Sequence, residues 1–182
     1  MKISLRAKAV VGIICMSLII SATAIALSYR TYANTMDEHY QKMCLDLAES
    51  AIAMLDSEKM KHYAETMEKD EYYDEQRDIL CRLVEANDSA LYIYVAVSPG
   101  GGSFEEGDPL YDIMDTDPMV KPPEEEVAYL DVEAGNDVVF ISQTEEFGWL
   151  CTALVWMYDE TGDTYAFMNV DISMNDVMAD RM

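Results

Sequence analysis

The sequence predicts an α+β protein: an N-terminal transmembrane helix continuing into a long helix that packs on a five-stranded antiparallel sheet. Three observations carry this reading. Residues 9–29 form an uncharged apolar run, no proline or glycine interrupts residues 13–98, and the last third alternates in the strand period between turn signals.

The apolar run, AVVGIICMSLIISATAIALSY, has 21 residues. At about 1.5 Å per residue it spans the roughly 30 Å hydrocarbon core of a bilayer. Lys2, Arg6 and Lys8 precede it and an acid-rich segment follows. Positive charge before the span places residues 1–8 in the cytoplasm, residues 9–29 in the membrane and residues 30–182 outside. A cleaved signal peptide is the rival reading, since Ala22, Ala24 and Ala26 give an A-x-A pattern. The run is longer than a usual signal core of about 7–15 residues, which favours a retained anchor. Ile14 before Cys15 is not the small residue that a lipoprotein attachment site needs.

Charge excludes one large class of function. All 35 acidic residues lie in 31–182 against eight basic ones, so that segment carries a net charge of −27. Such a surface repels phosphate backbones and anionic headgroups, so nucleic acid is not a partner. Of the four cysteines, Cys15 lies in the span, and an odd number, Cys44, Cys81 and Cys151, remains outside. Three buried thiols, or one disulfide plus a free thiol, both fit that count.

Met36, Tyr40, Met43, Leu47, Ala51 and Met54 recur at steps of three and four, one stripe of a helix running to about Leu55. Asp56 and Ser57 read as a break and a new N-cap. A helix over about 58–68 follows, then a charged, solvated joint at 68–71 and a helix over about 73–86. Residues 90–98 form a strand with Leu91, Ile93, Val95 and Val97 on one face and Tyr92, Tyr94 and Ala96 on the other. Both faces are apolar, so it is a central strand. Residues 99–125 read as an irregular, proline-rich insert of the kind that forms lids and binding loops. A short strand is expected near 127–132, and three strands at 137–142, 148–158 and 164–172. Ser173 caps a final helix that has barely begun at Met182, so the chain reads as a fragment of a longer protein.

The chemistry-bearing residues are few. His39 and His62 sit on polar helical stretches and read as solvated surface. No Ser/His/Asp or Cys/His set assembles, so no catalytic residue is assigned and the chain is not read as an enzyme. Gly100-Gly101-Gly102 lacks the lysine of a phosphate loop and reads as a turn. Asp112, Asp115 and Asp117 offer oxygen ligands but lack the glycine and terminal glutamate of a Ca²⁺ loop, so no metal or cofactor is expected. Asn87-Asp88-Ser89 fits a glycosylation sequon. The aromatic residues Tyr92, Tyr94, Trp149, Tyr165 and Phe167 alternate along neighbouring strands. With Asp171 and the insert residues Tyr111, Asp112 and Asp115 they are the candidate lining of an apolar pocket with a few polar anchors, suited to a cationic or neutral small molecule. Core packing is the competing role for each ring.

The order of motifs resembles a known family. Leu55-Asp56-Ser57-Glu58-Lys59 and Asp70-Glu71-Tyr72-Tyr73 precede the strand Leu91-Tyr92-Ile93-Tyr94-Val95. Glu146-Phe147-Gly148-Trp149-Leu150 then leads through Tyr158-Asp159-Glu160-Thr161-Gly162 to Met168-Asn169-Val170-Asp171-Ile172-Ser173. Over about residues 30–180 this resembles the single Cache, PAS-like sensor domains that bacterial transmembrane receptors carry outside the cytoplasm. The resemblance implies a five-stranded PAS-like sheet flanked by the N-terminal helix, and a small-molecule pocket between the sheet and the insert. It also implies a second span after Met182, leading to a methyl-accepting, kinase, cyclase or phosphatase output. By analogy the membrane helices pair in a homodimer. Only Arg77, Arg82 and Lys121 lie between residues 70 and 180, and no Arg-x-Trp-Tyr run is present to clamp a carboxylate, which disfavours an anionic ligand. A membrane-anchored or secreted binding or adhesion domain without signalling output is the alternative function.

Overall fold

The computed structural model describes residues 5–98, 102–116, 125–127 and 130–179. It divides into two compact units, residues 1–38 and 39–182. The first unit is helical. It forms the start of helix α1 (Leu5–Met54), whose apolar stretch has a mean hydropathy of 2.5 and is wholly exposed, from Val10 to Leu27. It is the one helix among the described residues long and apolar enough to cross a membrane.

The second unit is an antiparallel sheet with helices on one face. Its elements are the end of α1, helices α2 (Ser57–Thr66) and α3 (Tyr73–Glu85), strands β1 (Ala90–Val97), β2 (Pro109–Asp115), β3 (Glu125–Val127), β4 (Val138–Thr144), β5 (Gly148–Tyr158) and β6 (Thr164–Ser173), and the short α4 (Asn175–Ala179). Five long strands and the three-residue β3 lie in the order β3-β2-β1-β6-β5-β4. The α+β architecture expected from the sequence is therefore present, with β1 and β6 at its centre.

The insert departs from expectation. Residues 99–125 are not irregular throughout, because β2 pairs antiparallel with β1, from Tyr94 opposite Asp115 to Val97 opposite Tyr111. Pro109 and the buried Asp112 interrupt the apolar alternation that marks a strand. Of the strand expected at 127–132 only Val127 is in a strand, as the last residue of β3, and residues 128–129 lie outside the described residues. Val132 instead makes an isolated bridge with Phe104, through backbone hydrogen bonds of 2.8 and 2.7 Å.

Alternation along the strands divides the core in two. On the helix side Cys44, Leu47, Ala48, Ala51 and Leu55 of α1 and its following turn meet Met60, Tyr63 and Leu80 of α2 and α3. These sit on Ile93, Val95, Cys151, Ala153, Val155, Met168, Val170 and Ile172 of the sheet. The buried α1 stripe is rotated from the expected one: Cys44 and Ala48 are in it, whereas Met54 is 54% exposed. On the opposite face Ala96, Phe104, Leu110, Val132, Leu154, Trp156 and Phe167 form a second cluster.

Local polar contacts fix the joints. The Asp56 side chain accepts from the Lys59 backbone N–H at 3.1 Å and caps α2. The buried Gln76 Oε1 accepts from the Asp56 N–H at 2.8 Å, tying α3 to the same joint. The charged joint at 68–71 is more than solvated surface: Tyr63 donates its hydroxyl to Asp70 at 2.5 Å. That bond holds the Asp70 carboxyl below its usual range. His39 and His62 are exposed. Cys15, Cys44, Cys81 and Cys151 are all thiols rather than disulfides, with Cys44 and Cys151 buried and Cys81 half-buried.

Candidate ligand-binding site

The face of the sheet away from the helices is not completely covered. A cavity of about 550 Å³ lies between it and the segment carrying Phe104, Leu110 and Leu130. Strand register builds its floor. Tyr92 of β1 stands opposite Asp171 of β6, Asp171 opposite Thr152 of β5, and Thr152 opposite Phe140 of β4. One row of four side chains thus crosses four strands on a single face. A second row follows, with Tyr94 opposite Asn169 and Asn169 opposite Leu154. Leu150, Ser142 and Thr144 complete the floor, and Phe147, from the turn between β4 and β5, closes one end.

The cavity is largely apolar with polar atoms gathered at its centre. Thr152 donates its hydroxyl to Asp171 Oδ1 at 2.5 Å. Asn169 beside them is 5% exposed. The Tyr92 and Phe147 rings meet edge to face at 5.3 Å between centroids. Among the described residues that line the cavity Asp171 is acidic, and none is Lys, Arg or His.

A hydrogen-bonded clamp fixes the Phe147 turn. Asn175, the first residue of α4, accepts from the Trp149 N–H through Oδ1 and donates to the Phe147 carbonyl through Nδ2, each at 2.8 Å. Gly148 makes room for that amide. Its φ is +77°, and a Cβ there would collide with Asn175 Oδ1.

Of the nine candidates read from the sequence, the fold brings Tyr92, Tyr94 and Asp171 together in the cavity lining. Phe167 is on the same face but fully buried, packed against Phe104 (tilted) and Trp156 (edge to face) at centroid distances of 5.4 and 5.5 Å. Asp112 is buried on β2 opposite Ala96, outside the lining. Asp115 ends β2, where its carbonyl accepts from Arg77 Nε at 2.6 Å. Tyr111, Trp149 and Tyr165 pack against the helix-side core instead. Tyr165 also places its hydroxyl 3.3 Å from Ser57 Oγ at the start of α2. Thr152, Asn169, Phe140 and Phe147 were not singled out from sequence.

Among the described residues no group of three or more His, Cys, Asp or Glu side chains is placed to hold a metal ion. Asp117 of the acidic insert, Gly100, Gly101 and Lys121 lie outside the described residues. A smaller hollow of about 460 Å³ lies between α3 and β1, bordered by Arg77, Cys81, Glu85 and Thr116.

No protein-family model matches this chain, and no curated protein matches it. Several solved structures are similar, and one of them is a chemoreceptor domain. It is the ligand-binding domain of the Campylobacter jejuni chemoreceptor Tlp3 in complex with L-valine, 14% identical, with a TM-score of 0.49. The match covers 88% of this chain and 62% of that one.

Proposed function

We propose that residues 30–182 are the extracytoplasmic, Cache-like ligand-sensing module of a membrane signal-transduction receptor, anchored by residues 9–29. The observation that carries this reading is the cavity of about 550 Å³, with its aromatic walls and a central Asp171–Thr152 pair. Its size and its apolar surface around a few convergent polar groups suit a small organic solute. The described lining holds the carboxylate of Asp171 and no Lys, Arg or His, a composition that disfavours an anion. An organic cation or a neutral hydrogen-bonding solute fits, with Asp171 and Asn169 as polar anchors and the Tyr92, Tyr94 and Phe147 rings against its apolar or cationic part. A route from cavity to output runs through Phe147, whose ring borders the cavity and whose carbonyl is held by Asn175 of α4. The segment beyond α4 would lead to the second membrane helix, and paired membrane helices would make the receptor a homodimer.

The test is a thermal-shift screen of the full chain in detergent against amines, amino acids, organic acids, nucleosides and sugars. A ligand that binds only the folded state, at about 100 times its Kd, stabilises by about 2.7 kcal/mol. For a protein of this size that raises Tm by roughly 5–10 °C. A dose-dependent rise with an amine or neutral solute, lost on Tyr92→Ala and Thr152→Val, supports the site. A rise confined to organic acids, or one indifferent to both substitutions, overturns it.

A further inference from the structure

We propose that Cys44 and Cys151 are a redox pair that oxidises to a disulfide, stapling α1 to the central sheet. Both side chains are completely buried in the same cluster. Cys44 Sγ lies 3.2 Å from the Cys151 carbonyl and 3.1 Å from the Val170 carbonyl, so its sulfur sits over the seam between β5 and β6 at Cys151 itself. Alternation points the Cys151 side chain to that same helix-facing side, as it does Ala153 and Val155. Small residues flank both cysteines: Ala48, one turn along α1, and Ala153, two residues along β5, are fully buried. The remaining thiol of this unit is elsewhere. Cys81 belongs to α3 and faces the Thr116 carbonyl at 3.9 Å, so the pairing is unambiguous.

The chemistry also says when the bond forms. Cys151 beside it and burial push the Cys44 thiol well above its ordinary range. The thiolate is the nucleophile, so the closed protein reacts slowly. Oxidation then happens while the chain is folding or locally open. Both S–H bonds are lost and one S–S bond forms. The two electrons and two protons pass to the disulfide of an exchange partner, which leaves as two thiols. An oxidising compartment, the one in which residues 30–182 are proposed to lie, supplies such partners. The pair is 107 residues apart, so the bridge removes a large share of the unfolded chain's freedom. It would also hold α1 in one position against β5 while oxidised, adding a redox input to any signal that needs the helix to shift.

The test uses the full chain in detergent. It is held with oxidised glutathione just below its melting temperature, so that local opening admits the reagent. Free thiols are then alkylated under denaturing conditions, and the unreduced digest is mapped by mass spectrometry. The expected result is a linked Cys44–Cys151 peptide in most molecules and a Tm roughly 10–15 °C above that of the reduced protein, reversed by dithiothreitol. Two outcomes overturn the proposal. One is alkylation of Cys44 and Cys151 in the oxidised sample as complete as in the reduced one. The other is a bridge from either cysteine to Cys81. The unmutated chain answers both, so a folding defect in a cysteine variant does not bear on the result.

Discussion

Gly148→Ala is expected to cost about 3–4 kcal/mol, well above the typical surface substitution. The first part is backbone: φ at Gly148 is +77°, and a residue with a Cβ is disfavoured there by about 1–2 kcal/mol. The second part is the clamp. The new Cβ collides with Asn175 Oδ1, so the amide leaves and two hydrogen bonds of 2.8 Å, from Trp149 N–H and to the Phe147 carbonyl, are lost. Each contributes about 1 kcal/mol net. The assay is thermal denaturation of the full chain in detergent, where the change should appear as a Tm lower by roughly 8–14 °C. A double-mutant cycle separates the two parts. In an Asn175→Ala background the clamp is already gone, and adding Gly148→Ala should then cost only the backbone part, about 1–2 kcal/mol. Full additivity of the two substitutions, or a single-mutant cost below about 1 kcal/mol, would refute the proposed collision and clamp.

Three further outcomes are expected. Burial pushes the Tyr73 hydroxyl up to about 12. A phenol whose folded pKa is raised stabilises fully below its unfolded pKa of about 10, and that stability is lost as pH rises from about 10 to about 12, a fall of roughly 2–3 kcal/mol. Tyr73→Phe should therefore flatten the alkaline limb of a Tm-against-pH curve. Leu80→Ala empties a fully buried position of α3 and should cost about 2–5 kcal/mol by denaturant titration, with an unchanged slope. Asp171→Asn keeps the shape of the cavity floor and removes its charge. It should weaken an organic cation about 10–100-fold by calorimetry while leaving a neutral ligand within a few-fold.

The division of β1, β5 and β6 into two faces was legible in the sequence, because the strands alternate cleanly and their turns are marked by residues such as Gly162. Which faces coincide was not. Trp149 was grouped with Tyr92 because both are aromatic, yet Trp149 shares the parity of Cys151 and Ala153, and strand pairing puts that parity under the helices. Tyr165 fails for a different reason: the register shifts between Met157 and Tyr158, and the ring turns towards Ser57. Thr152 and Asn169 carried no signal, since a threonine in a strand is ordinary and a single asparagine even more so. Their meaning exists only in the rows that join Tyr92 to Phe140 and Tyr94 to Leu154, and register is a property of pairs of strands. Strand β2 was hidden by Pro109 and Asp112, which read as loop residues until β1 supplies a partner.

In the proposed sensor, Phe147 joins binding to output, and the strength of that joint has a ceiling. A ligand shifts a conformational equilibrium only by the difference in its affinity for the two arrangements. Through the Phe147–Asn175 contact that difference is limited to what the clamp's two hydrogen bonds are worth, about 2 kcal/mol, or roughly a 30-fold change in population. Asn175→Ala removes the joint without touching the cavity lining, so ligand affinity should stay within a few-fold of the parent. Ligand-dependent protection of the α4 amides, such as Met178 N–H bonded to the Met174 carbonyl at 2.9 Å, should disappear in hydrogen exchange. Persistent protection in the variant would mean that the signal leaves the cavity by another element. The central strand β6 is then the one to follow, because it carries Asp171 on the cavity side and runs directly into α4.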